Sequence, residues 1–142
     1  MAQFDIDGDR SAVGSSLPRI VAIVGGVGFV VLGAWAMVDP RSFFEALARF
    51  EPYNQHFLQD IGAFQVGLGV VLLLAGRSVR ADGLTGALVG VGVAAALHTV
   101  SHIAGRDLGG APERDIPVFA AMAVSLLAAG GLRWRHVRDA AH

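Results

Sequence analysis

The chain contains no cysteine. That excludes disulfides, thiolate-held zinc, iron–sulfur clusters and a cysteine nucleophile. Lysine is absent too, so all 11 basic residues are arginine. Charge of either sign is scarce, at 16% of 142 residues, and a formal net charge of -1 excludes a strongly basic nucleic-acid binder. In place of charge the sequence offers 54% hydrophobic residues and 19 glycines. The apolar residues arrive in blocks, which is too much for an ordinary soluble domain and points to one small membrane domain. Glycine is frequent in packed membrane helices. Arginine without lysine, together with much alanine, glycine and valine, points to a high-GC bacterial genome.

Residues 1–18 read as a polar tail ending in Leu17-Pro18. Asp5, Asp7 and Asp9 imitate the opening of a calcium loop, but Arg10 stands where glycine is required and Ser16 where the closing glutamate belongs. The first apolar block runs from Ile20 to Val38. About 20 residues at 1.5 Å each cross a hydrocarbon core of roughly 30 Å. The acidic segment before this block and its length argue against a signal peptide cleaved after Ala34-Trp35-Ala36. Asp39-Pro40 ends it, and in 41–51 Phe43, Phe44, Leu47 and Phe50 repeat at helical spacing with charges opposite. This predicts a short amphipathic helix on the membrane surface, or a loop packed on the bundle. Further spans are expected from about Gln55 to Gly76, Leu84 to Ala104 and Ile116 to Leu132. The fold class is therefore all-α: a four-helix transmembrane bundle with a short interfacial helix between the first two spans. Residues 19–135 form the membrane domain, and 136–142 a second short tail. Gly86-x-x-x-Gly90 and Ala63-x-x-x-Gly67 are small-residue faces expected to pack within the chain.

With four spans, both termini and the middle loop share a side that carries seven arginines (10, 19, 77, 80, 133, 135, 138), against four (41, 49, 106, 114) on the other. The bias places both termini in the cytoplasm of a bacterial cell, with the chain multi-pass in the inner (plasma) membrane.

Two polar pairs interrupt the apolar spans. His56 and Asp60 stand near the start of the second, and His98 and His102 near the end of the third. Each pair has i, i+4 spacing and so shares one helix face. In antiparallel neighbours, His56 and His102 lie about 3 Å inside the helix ends, and Asp60 and His98 about 9 Å inside. Ionisable groups within a membrane point to a functional site. Three imidazoles and a carboxylate suit a divalent metal ion such as zinc or iron, with His56, Asp60, His98 and His102 as ligands. Haem held axially by histidines of facing helices is a lesser fit. The same four residues also fit a buried polar network, a pH-sensitive pair, or groups wetted in the headgroup zone. Ser101 and His102 are helix neighbours about 100° apart, which is poor geometry for a nucleophile and its base. Asp107, Glu113 and Asp115 give the third loop an acidic rim.

The run Pro52-Tyr53-Asn54-x-His56-x-x-x-Asp60-x-Gly62-Ala63-Phe64-x-x-Gly67-Leu68-Gly69, followed by His98-x-x-x-His102, resembles a group of uncharacterised small bacterial, mostly actinobacterial, membrane proteins that are loosely similar to DoxX-like four-helix proteins. The resemblance implies a four-helix bundle and directs attention to the four polar positions; it implies no substrate. Three functions follow from the sequence. The leading expectation is a metal-binding membrane protein with its site between the second and third spans near the outer face. A structural or accessory subunit of a larger membrane complex, or a homo-oligomer, is the second. A membrane enzyme acting on a lipid-like or quinone-like substrate is the third, and it requires a cleft at the cluster.

Overall fold

The computed structural model describes the backbone of residues 6–78 and 81–140, and the side chains of 16–78 and 83–140. Five helices follow one another: α1 (Ile6–Val38), α2 (Pro40–Phe43), α3 (Gln55–Arg77), α4 (Ala81–Ala104) and α5 (Pro112–Asp139). A π-helical turn, Phe44–Ala48, continues α2. Among the described residues, α1, α3, α4 and α5 are each long and apolar enough to cross a membrane. The architecture is thus an all-α bundle of four spans with a short helix between the first two. α1 begins at Ile6 and runs through Pro18, and α5 begins at Pro112, ahead of the apolar stretch that marks its span. Hydropathy marks where lipid is met; the hydrogen-bond ladder starts earlier. The Asp5, Asp7, Asp9 pattern lies outside the described side chains.

The bundle is two helix pairs. α1 packs on α3 and α4 on α5, whereas α3 and α4, although consecutive, meet only lightly. Glycine decides the first pairing. A Cβ on Gly33 would lie 2.6 Å from the Gly62 carbonyl oxygen and 2.8 Å from the Val66 nitrogen. A Cβ on Gly62 would lie 2.6 Å from the Gly33 oxygen. One heptad away, Gly69 and Gly26 repeat the contact, at 2.7 Å and 2.9 Å to each other's carbonyl oxygen. The two helices therefore touch backbone to backbone, with the Cα hydrogens of each aimed at the carbonyls of the other. The pairs step seven residues along α1 and seven back along α3, the period of a left-handed antiparallel seam. The Arg19 guanidinium continues the register by donating to the Gly76 carbonyl at 3.4 Å. The second pairing is looser: Gly92 receives Leu127, and Gly130 receives Val89.

Ala22, Leu72, Leu84, Leu88, Val91 and Leu126 form the main core, where the two pairs meet. A smaller cluster closes the opposite end, built from Ala36, Phe43, Phe44 and Leu58 with Trp35 and Tyr53 against it. Asp39 caps α2 by accepting from Ser42 N at 3.1 Å, and the Trp35 indole donates to Ser42 Oγ at 2.8 Å. Phe43 stands edge-on to Trp35, and Phe44 edge-on to Tyr53. The short helix thus tucks both phenylalanines into the bundle end.

The small-residue faces singled out by spacing are not the packed ones. A Cβ on Gly67, Gly86 or Gly90 would meet nothing within 4 Å. Gly33→Ala and Gly62→Ala should each cost about 1–3 kcal/mol by overpacking. Gly67→Ala and Gly90→Ala should instead be neutral or raise stability by up to about 1 kcal/mol through helix propensity. Thermal unfolding in detergent reads both; equal effects in the two classes would contradict the seam.

Candidate functional site

Asn54 caps α3, its side-chain oxygen accepting from Phe57 N at 3.1 Å, and so places His56 in the first turn. His56 Nε2 lies 3.5 Å from Asp60 Oδ2, with side chains 86% and 56% exposed. Both stand on the face of α3 opposite its buried residues Leu58, Gly62, Gly69 and Leu72. On α4, the Nε2 atoms of His98 and His102 are 3.1 Å apart. Phe119 of α5 stands edge-on to His98 at 4.4 Å and tilted to His102 at 4.9 Å, and Phe50 meets His102 edge-on at 5.8 Å.

The i, i+4 spacing therefore joins each pair, but the two pairs do not join each other. The expected metal centre of His56, Asp60, His98 and His102 is not formed. Among the described residues, no group of three or more His, Cys, Asp or Glu is placed to hold a metal ion. The same finding removes zinc, iron and haem as expected cofactors, and it ends the reading of the four residues as one network. The physical reason lies in the pairing of helices. Equal depth in the membrane does not make two helices neighbours. The glycine seam turns one face of α3 toward α1 and leaves His56 and Asp60 on the opposite one, while His98 and His102 lie against the α5 side chain Phe119.

What remains is a two-imidazole contact in an aromatic frame. Two ring nitrogens at 3.1 Å require one to donate and the other to accept. The neutral pair must hold opposite tautomers at Nε2. Ser101 donates to the His98 carbonyl at 2.8 Å and Thr99 to the Ala95 carbonyl at 2.8 Å, so both hydroxyls bond back to their own helix.

Sequence reasoning passed over the groups that close this end of the bundle. The Arg114 guanidinium donates to the Leu47 carbonyl at 2.9 Å and the Ala46 carbonyl at 3.4 Å, taking up free acceptors at the end of the π turn. Its Nε donates to Asp115 Oδ1 at 2.7 Å, while Asp115 Oδ2 accepts from Ala111 N at 3.2 Å. Asp115 is buried, not part of a solvated rim. Gly110 N donates to the Arg49 carbonyl at 3.2 Å across a turn in which Gly109 and Gly110 take φ of 120° and 81°. These values need glycine. A Cβ at Gly110 would also strike the Phe50 ring at 2.9 Å. Gly109-Gly110 followed by Pro112 was the available signal for a tight turn into a helix.

Fold and site together define a small multi-pass membrane protein with a capped aromatic–histidine end. No protein-family model, curated protein or solved structure matches the chain. These comparisons lend no support to the resemblance to small actinobacterial membrane proteins or to their loose similarity to DoxX-like proteins; the structure supports a small multi-helix membrane protein. The contact geometry is open to test. Nitrogen-15 NMR of histidine-labelled protein above the titration range should show His98 and His102 as unlike tautomers, one protonated at Nε2 and one not. Two identical tautomers would contradict the 3.1 Å contact.

Proposed function

We propose that the protein is a small accessory subunit of a larger membrane assembly, docked to its partner along the outward face of α3. The observation that supports this most is the His56–Asp60 pair, which lies in a membrane-spanning segment yet is exposed on the surface of the bundle. Ionisable groups at such depth ordinarily face a bundle interior, a water-filled cavity or a partner protein. The pair continues into Ala63 and Gly67 on the same face, where a side chain at Gly67 would meet no other atom within 4 Å. Phe64 stands beside it, 77% exposed. A partner helix seated there shields Asp60 from lipid, supplies it with a donor, and approaches closely over the small residues.

In this proposal the chain lies in a bacterial inner membrane with both termini cytoplasmic, supported by the seven-to-four distribution of arginine. Residues 19–135 are the membrane domain, and 1–18 and 136–142 flank it on the cytoplasmic side. The His98–His102 pair then belongs to the outer cap.

A photoactivatable benzophenone side chain in place of Phe64, irradiated in native membranes, should give a cross-linked product of one defined mass. Asp60→Leu and Gly67→Leu should each lower its yield about tenfold, the scale of losing a polar contact or close approach between helices. The same probe at Val124 on α5 should give none. Yield unaffected by both substitutions, or adducts to lipid alone, would refute the assignment.

A further inference from the structure

At the far end of the bundle from the histidines lies a cleft of about 430 Å³ lined by Thr85, Gly86 and Val89 of α4 and Trp134 and Val137 of α5. It lies about 20 Å along α4 from His98. Its size falls in the roughly 300–1,000 Å³ range of small-molecule sites. The walls are mainly apolar, and Gly86 borders open space, since a Cβ there would meet nothing within 4 Å.

Two polar atoms at this end are buried without a partner, Thr85 Oγ1 and Arg133 Nε. Neither is ordinary. Thr99 and Ser125 bond back one turn, to the Ala95 and Ala121 carbonyls. Thr85, in the cleft wall, does not. Arg133 adjoins Trp134 and shares the helix face of Gly130, which packs on α4. Among the described residues, neither Arg133 nor Arg135 makes an ion pair; Arg138 lies 3.9 Å from Asp139. Trp134, 60% exposed, lines the cleft near the end of α5, and tryptophan favours the boundary of hydrocarbon and headgroups.

We infer that this cleft binds one anionic phospholipid of the surrounding bilayer. An acyl chain lies against Gly86, Val89 and Val137. The headgroup phosphate accepts from the terminal guanidinium nitrogens of Arg133 and Arg135, which flank Trp134 and make no ion pair among the described residues. The apolar walls favour a lipid over a free anion, and the unpaired guanidinium groups favour an anionic headgroup over a zwitterionic one.

The test uses full-length protein in vesicles of phosphatidylcholine doped with phosphatidylglycerol whose acyl chain is brominated, since bromine quenches tryptophan on contact. Trp134 emission should be half-quenched at about fivefold lower mole fraction of brominated phosphatidylglycerol than of brominated phosphatidylcholine. Trp134→Phe isolates the contribution of Trp35. Gly86→Leu should fill the cleft and abolish the preference, and Arg135→Gln and Arg133→Gln should weaken it, with unfolding temperature checked for each. Equal quenching by the two lipids would overturn the inference. So would a preference that survives Gly86→Leu, which would indicate general surface attraction. Reversal of the preference by millimolar inorganic phosphate would also overturn it by pointing to a free-anion site. A Gly86→Leu variant that changed oligomeric state while keeping its lipid preference would assign the cleft to a second copy of the chain instead.

Discussion

Backbone contact between α1 and α3 governs the rest of this molecule. Where Gly33 meets Gly62 and Gly26 meets Gly69, no side chain separates the helices, and the carbonyls of one helix come within 3 Å of where a Cβ would stand on the other. Inside a bilayer no hydrophobic force draws helices together, so dispersion and close approach choose the partners. The choice has a consequence for chemistry. With one face of α3 committed to α1, the opposite face, with His56 and Asp60, is left to the surroundings. With α4 committed to α5, His98 and His102 find Phe119 instead of the carboxylate of Asp60.

The two ends of the bundle are built on different principles. At the histidine end, α2 and its π turn fold Phe43 and Phe44 inward, and Arg114 ties the turn to the start of α5 through two carbonyls. The buried groups of Arg114 and Asp115 are matched there, and the two imidazoles share a contact. At the other end, Thr85 and Arg133 hold unmatched polar atoms beside an apolar cleft. A buried polar atom without a partner is costly.

Much of the fold is legible in the residues. The four spans, the short helix after Asp39-Pro40 and the pairing within each i, i+4 couple follow from hydropathy, proline and helical spacing. What could not be read is which helices touch. Depth is a property of one helix and follows from its ends; contact is a property of two. Gly26, Gly33, Gly62 and Gly69 carry the seam on a seven-residue period, whereas the four-residue spacing of Gly86 and Gly90 is the more familiar pattern and proved to face outward. Arg114 and Asp115 were equally hidden. As a charged dipeptide after a glycine turn they look like loop, and only the folded chain brings the π turn within reach of the guanidinium.

The most direct test of this account exploits the absence of cysteine. Ala22 Cβ lies 3.4 Å from where a Cβ would stand on Gly76, close to the separation a disulfide requires. In membranes treated with a mild oxidant, the double variant Ala22→Cys with Gly76→Cys should form an intrachain disulfide, while His56→Cys with His102→Cys should stay reduced. A disulfide between positions 56 and 102, with none between 22 and 76, would contradict the pairing of α1 with α3 and restore the expectation that the two polar pairs converge.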